Sequence, residues 1–168
     1  MFKKILVPVD GSDSSVIAVN VAAELAMKNE GSITLLYVVR QYLVQYPGTN
    51  TGYDSPELNA PAGAVELGKE VLRKIKELIT VADIAVETEI AYGNPANVIV
   101  FSAKKGEYDL IVMGSRGIGG LTGSLIGSVS QSVSNLAHCP VLLTRLSKNV
   151  PEGQKIIKSI PTDYKIYL

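Results

Sequence analysis

The residues best suited to chemistry in this 168-residue chain form one run, Met113-Gly114-Ser115-Arg116-Gly117-Ile118-Gly119-Gly120-Leu121-Thr122-Gly123-Ser124-Leu125-Ile126-Gly127-Ser128-Val129-Ser130. Glycine lets the backbone take positive φ and approach a ligand closely, so successive N–H groups can converge on an anion. A buried-strand pattern precedes the run and an amphipathic helical pattern follows it. The helix adds unpaired N–H groups and a positive dipole end. One charge at such an end gains at most about 2 kcal/mol, so several N–H and hydroxyl contacts must act together. Ser128 and Ser130 have hydroxyls that can donate to phosphate oxygens, and Arg116 either adds charge or points to solvent. A surface loop without a ligand fits the same composition. Its place after a buried strand favours the phosphate, because open α/β sheets bind ligands at the carboxyl ends of their strands.

A second group is Pro8-Val9-Asp10-Gly11-Ser12, at the end of the first strand pattern. A carboxylate there can hold ribose hydroxyls or a metal-bound water. Equally, Asp10 and Ser12 can simply shape the turn and cap the next helix. Other matches fail. Gly63–Lys69 has the spacing of a phosphate loop, but Glu70 stands where Ser or Thr would bind magnesium, and the segment lies in a helical pattern. Thr122 takes the third glycine position of a dinucleotide fingerprint begun by Gly117 and Gly119. Asp10–Ser14 lacks the leading serine and glycine of a pyrophosphatase-type loop. His138, the one histidine, is expected near the last carbonyls of a helix, and Cys139 as a small buried apolar residue. The serines have no evident base partner, so a hydrolytic triad has no support.

These groups must be positioned by a regular scaffold. Five segments read as strands covered on both faces: Phe2–Val9, Ser32–Val39, Ile84–Tyr92, Asp109–Met113 and Pro140–Arg145. Between them lie helical patterns. Ser14–Asn29 carries Ile17, Val21 and Leu25 on one stripe, with Ser12 or Asp13 as N-cap and Gly31 past its end. Ala64–Ala82 follows, then a helix opened by Asn94-Pro95, then Ser124–Ala137. Alternating strands and helices predict a single α/β domain: a parallel sheet with helices on both faces.

The bulk numbers agree. The length suits one domain of roughly 100–200 residues. Sixteen basic and sixteen acidic residues give zero net charge and no electrostatic reason to expect nucleic acid or an anionic membrane. A single cysteine excludes an intrachain disulfide or a cysteine zinc cluster. Without a membrane-length apolar run or signal-peptide pattern, the chain reads as cytoplasmic. Two segments stand apart. The connection Arg40–Pro61, with Tyr42, Tyr46 and Tyr53, either covers a site or partner surface or is an incidental insertion. The tail from Ser147 to Leu168 has apolar runs at Ile156-Ile157 and Ile166-Tyr167-Leu168 that suggest docking on the domain or on a second protomer.

Three segments together resemble the universal stress protein family: Ile5-Leu6-Val7-Pro8-Val9-Asp10-Gly11-Ser12, Gly93-Asn94-Pro95-Ala96, and Asp109-Leu110-Ile111-Val112-Met113-Gly114-Ser115-Arg116-Gly117. The spacing Gly114, Gly117, Gly127, Ser128 resembles that of its ATP-binding branch. The likeness covers residues 2–146 and implies a doubly wound sheet of order 3-2-1-4-5, with 1–146 the nucleotide-binding domain and 147–168 a tail. It implies that Pro8, Val9 and Asp10 border the adenosine and that Val38 or Val39 contacts the adenine. Gly117, Gly127, Ser128, Val129 and Ser130 would hold the phosphates, with Met113, Gly114 and Arg116 in the same site. Magnesium or manganese would bridge phosphate oxygens without a direct protein ligand, and a homodimer would form through Val141-Leu142-Leu143-Thr144. The expectation is an ATP-binding regulatory protein of the stress response. A slow ATPase or adenylate-transferring enzyme is the alternative, and a dimeric interaction module without nucleotide is a third.

Overall fold

The computed structural model describes residues 1–41, 60–79, 84–117 and 126–145. Most of the 40–61 connection and the whole 147–168 tail therefore lie outside the described residues. Five strands, β1 (Lys4–Pro8), β2 (Ser32–Val39), β3 (Ala85–Tyr92), β4 (Leu110–Gly114) and β5 (Val141–Thr144), alternate with four helices. These are α1 (Asp13–Asn29), α2 (Ala64–Leu78), α3 (Pro95–Lys105) and α4 (Ser128–Leu136). The strands are all parallel, in the order β3-β2-β1-β4-β5.

Successive residues of a strand point to opposite faces, so the central strands must be apolar throughout. Ile5, Val7, Ile33, Leu35, Leu110 and Val112 meet α1 and α2 on one face. Leu6, Leu36, Ile111 and Met113 meet α3 and α4 on the other. Two helices on each side close a three-layer domain.

The buried stripe of α1 differs from the expected one. Ile17, Val21 and Leu25 are only half-buried, while Val16, Ala18, Val19, Ala22, Ala23 and Ala26 are sealed. Small residues let the helix approach the sheet closely, and a helix that sits close buries its smallest stripe. The end of α1 differs too. Glu30, not Gly31, takes the left-handed conformation, at φ 52°. The Gly31 N–H bonds to the Ala26 carbonyl at 2.8 Å, closing the helix end. Glycine is needed at 31 for another reason: a Cβ there would sit 2.7 Å from the Lys3 carbonyl oxygen.

Helix α2 confirms that its phosphate-loop spacing is incidental. Buried Gly68 faces Tyr37, whose ring a Cβ would meet at 2.6 Å. The Glu70 carboxyl accepts from Arg73 at 2.8 Å and pairs with Lys74 at 3.0 Å. Hydrogen bonds from Arg73 and then Lys74 hold it down to about 2. Asn94 caps α3 by accepting from the Asn97 N–H at 3.3 Å, and Pro95 takes the first helical position.

Candidate functional site

The strand registers open a crevice. β1 pairs with β2 as far as Pro8↔Leu36, and β4 with β5 as far as Gly114↔Thr144. Between β1 and β4, however, the aligned pairs are Ile5↔Leu110 and Leu6↔Ile111 only. Beyond that point each central strand stays with its outer neighbour and the two halves of the sheet part. Strand order reverses here, because β2 follows β1 to one side and β4 lies on the other. Open α/β sheets bind ligands at such a point.

One lip is the turn from β1 into α1. Asp10 Oδ1 accepts from the Ser12 N–H at 3.0 Å and from the Ser12 hydroxyl at 2.6 Å. Gly11 completes the turn at φ 85°, a left-handed value that favours glycine. Ser12 is the N-cap of α1, its hydroxyl accepting from the Ser15 N–H at 3.3 Å. Asp10 and Ser12 therefore do shape the turn, and the same bonds hold the carboxylate at the crevice. Its charge reaches Tyr37, whose phenol is pushed up first by burial and then by Asp10.

The other lip is the end of β4. Buried Gly114 packs on α1 so tightly that a Cβ would lie 2.8 Å from Ser14 Oγ and 2.9 Å from the Ser14 carbonyl carbon. The Ser14 hydroxyl donates to the Arg116 carbonyl and thereby ties one lip to the other. The Arg116 side chain and Gly117 are exposed. Gly117 faces Asp10, with 2.4 Å between a Cβ built there and Asp10 Oδ2.

The N-terminus of α4 is anchored to this second lip. The Gly127 N–H donates to the Ser115 carbonyl at 2.7 Å, and Ser130 Oγ donates to the Gly114 carbonyl at 2.9 Å. Gly127 is the N-cap and has no side chain to cap the helix. The first intrahelical bond runs from Gln131 N–H to the Gly127 carbonyl at 2.9 Å. The amides of Ser128, Val129 and Ser130 are thus left without an intrahelical acceptor. This is a ready anion site beside a carboxylate-bearing lip.

Helix α4 starts at Ser128, four residues after the Ser124 expected from the sequence, and residues 118–125 of the glycine run lie outside the described residues. Of the two serines expected to reach phosphate, Ser128 is exposed, while Ser130 is buried with its hydroxyl donating to Gly114. Toward a ligand Ser130 offers its amide. Pro8, Val9 and Met113 are buried at the strand ends. Val38, half-buried, and Val39, buried, end β2 just past the Pro8↔Leu36 pair. The structure therefore gathers the expected residues around one crevice.

The parts that Ser14, Ser115 and Thr144 play in the crevice were not foreseen. The Ser115 N–H donates to the Thr144 carbonyl at 2.8 Å, and Thr144 Oγ1 lies 3.2 Å from the Ser14 carbonyl oxygen. Only the alternation Asp10, Ser12, Ser14 hinted at a polar row; nothing local pointed to Thr144. His138 is exposed, beyond the Ala137 cap of α4. Cys139 is half-buried rather than buried, and its thiol is pushed up mainly by that burial. A separate groove of about 410 Å³, lined by Glu89, Ala91, Phe101, Lys105 and Tyr108 among others, lies between β3 and α3. It includes none of the crevice residues. In the crevice, by contrast, amides without an intrahelical acceptor lie beside a held carboxylate.

Comparison with known proteins gives one answer. Residues 1–145 match the profile of the "Universal stress protein family". The chain is 38% identical over 148 residues to the universal stress protein YxiE of Bacillus subtilis, covering 86% of this chain and 100% of that one. Among solved structures, universal stress protein UspA from Lactobacillus plantarum superposes with a TM-score of 0.68 at 31% identity, covering 86% of this chain and 98% of that one. A universal stress protein solved in complex with cAMP superposes with a TM-score of 0.59 at 25% identity, covering 87% and 99%.

Proposed function

The chain belongs to the universal stress protein family, and from that premise we propose that it is a cytoplasmic, ATP-binding regulatory protein. Nucleotide in the crevice sets its conformation, its dimer contacts or its choice of protein partner. The observation that carries this reading is the uncapped N-terminus of α4, bonded to the end of β4 where β1 and β4 part. Three first-turn amides there suit phosphate oxygens, and glycines at 117 and 127 put no side chain beside them, while Gly114 lets β4 close on Ser14. The cAMP complex of a relative supports an adenine nucleotide as the ligand class.

In this reading Asp10, Pro8 and Val9 border the adenosine, and Val38 or Val39 touches the base. The phosphates lie on Gly117, Gly127, Ser128, Val129 and Ser130, with Met113, Gly114 and Arg116 around them. Magnesium or manganese, when bound, neutralises charge on the phosphate oxygens. The residues of this chain bind and orient the nucleotide. A homodimer forms through the outer edge of β5, Val141–Thr144.

Thermal unfolding with and without magnesium-ATP tests the reading. At about 100 times its dissociation constant a ligand adds roughly 2.7 kcal/mol. For a domain of this size that raises the midpoint by about 5–10 °C. The double variant Gly127→Val/Ser128→Ala is expected to remain folded and lose the shift. If no adenine nucleotide shifts the wild type, the reading is wrong and the fold acts as an interaction module. Rapid phosphate release abolished by Asp10→Ala would instead favour an enzyme.

A further inference from the structure

Ser14, in the first turn of α1, is buried where the two lips of the crevice meet. Its hydroxyl donates to the Arg116 carbonyl on the far lip. On its own lip, Ser14 Oγ lies 3.2 Å from Ser12 Oγ, which donates to Asp10 Oδ1 at 2.6 Å. A hydroxyl has one proton to give. With that of Ser12 on Asp10 and that of Ser14 on Arg116, Ser14 is committed to the far lip rather than to its neighbour. The main chain beside Arg116 carries the phosphate side of the crevice: the Ser115 carbonyl accepts the Gly127 N–H at 2.7 Å, and Gly127 is the N-cap of α4. Ser14 therefore stands between the turn that holds Asp10 and the segment that holds the α4 amides.

The sheet gives no tie at this level. The aligned pairs of β1 and β4 stop at Leu6↔Ile111, well before Asp10 and Arg116. Beyond them the lips are related through α1, where Ser14 packs on Gly114 so closely that a Cβ on the glycine would lie 2.8 Å from Ser14 Oγ. Packing limits how near the lips can come. The Ser14–Arg116 bond limits how far apart they can move.

We propose that Ser14 is a positioning residue that fixes the spacing between Asp10 and the first-turn amides of α4, so that one nucleotide reaches both. The inference rests on the nucleotide reading above and adds how the two halves of that site act as one. A ligand held at its nucleoside end presents its phosphates to the amides at an effective concentration, which falls as the spacing becomes variable. Loosening the lips therefore weakens a ligand that uses both halves and spares one that uses the phosphate half alone. A serine that merely stabilised the fold would affect both ligands alike.

The test compares ATP with tripolyphosphate, which carries the phosphates and nothing for Asp10. With magnesium present, ATP affinity is measured by calorimetric titration of the full chain, and tripolyphosphate affinity by its displacement of ATP. Ser14→Ala is expected to weaken ATP about tenfold, a small part of the gain from linking two sites, and tripolyphosphate by less than about twofold. If Ser14→Ala fails to fold, as judged by circular dichroism, Ser14→Cys keeps a side chain of similar shape with a poor donor and is expected to show the same contrast. Equal weakening of both ligands overturns the inference, as does an unchanged ATP affinity. So does a wild type that binds ATP but is never displaced by tripolyphosphate, because no separate phosphate half then exists to be positioned. A wild type that binds no adenine nucleotide overturns the nucleotide reading itself, a distinct result with which this inference falls.

Discussion

Asp10 and Gly117 face each other across the crevice so closely that a methyl group on Gly117 would stand 2.4 Å from Asp10 Oδ2. Gly117→Ala must therefore turn the Asp10 carboxylate away from Ser12 or push the lips apart. Gly117 is exposed, so the folded core is little affected. ATP affinity is expected to fall roughly tenfold, equivalent to about 1.4 kcal/mol, in a calorimetric titration. Wild-type affinity in this variant would show that the ligand does not need the narrow gap.

Gly114→Ala tests the same wall from the inside. The new methyl would meet the Ser14 hydroxyl at 2.8 Å and its carbonyl carbon at 2.9 Å, and the backbone carbon cannot swing aside. Overpacking of this kind costs about 1–3 kcal/mol. Urea denaturation is expected to show that loss in the absence of nucleotide, in contrast to Gly117→Ala.

Ser128 and Ser130 separate ligand binding from folding. Removing the buried Ser130 hydroxyl leaves the Gly114 carbonyl without that donor, a loss of roughly 1–3 kcal/mol. Exposed Ser128→Ala is expected to change stability by less than about 0.5 kcal/mol while weakening ATP binding. If Ser128→Ala destabilises the chain as much as Ser130→Ala, the division of roles is wrong.

Two phenols give a pH signature. Burial, followed by the Asp10 charge, pushes Tyr37 up, and burial is also the main cause at Tyr108, where Glu89 and Glu87 add to it. A folded-state value above the unfolded one means the folded state holds the proton longer. The contribution is fully present below the unfolded value of about 10 and is lost as pH rises through the folded value. Stability should fall on going from about pH 9 to pH 11. Tyr37→Phe should flatten that decline, and an unchanged slope would assign the loss to other groups.

Much of the scaffold was legible: all five strands lie within two residues of their expected ends. For β1, β2 and β4 the reason is that strands buried on both faces are apolar, whereas the edge strands β3 and β5, expected to be covered too, are largely exposed or half-buried. Asn94-Pro95 marked the start of α3, Asn94 through its capping side chain and Pro95 through its fixed φ. The stripe of α1 was misread because alanine and serine carry little hydropathy, although close packing selects them. The start of α4 was misplaced because Gly127 offers no capping side chain to announce it. The crevice itself was half legible. Asp10 and the glycine run stand out by type, but the Ser14–Arg116 and Thr144–Ser14 bonds join residues 102 and 130 positions apart, a relation that no local pattern encodes.

The alanine-rich face of α1 has an entropic consequence for the site. Alanine loses no rotamer freedom on burial, whereas long side chains lose up to about 2 kcal/mol each. A wall built from Ala18, Ala22, Ala23 and Ala26 is therefore ordered as soon as the backbone is. The start of the same helix is thereby fixed against the sheet, and the Asp10 carboxylate, held by the Ser12 N–H and hydroxyl, has only its own short side chain to order.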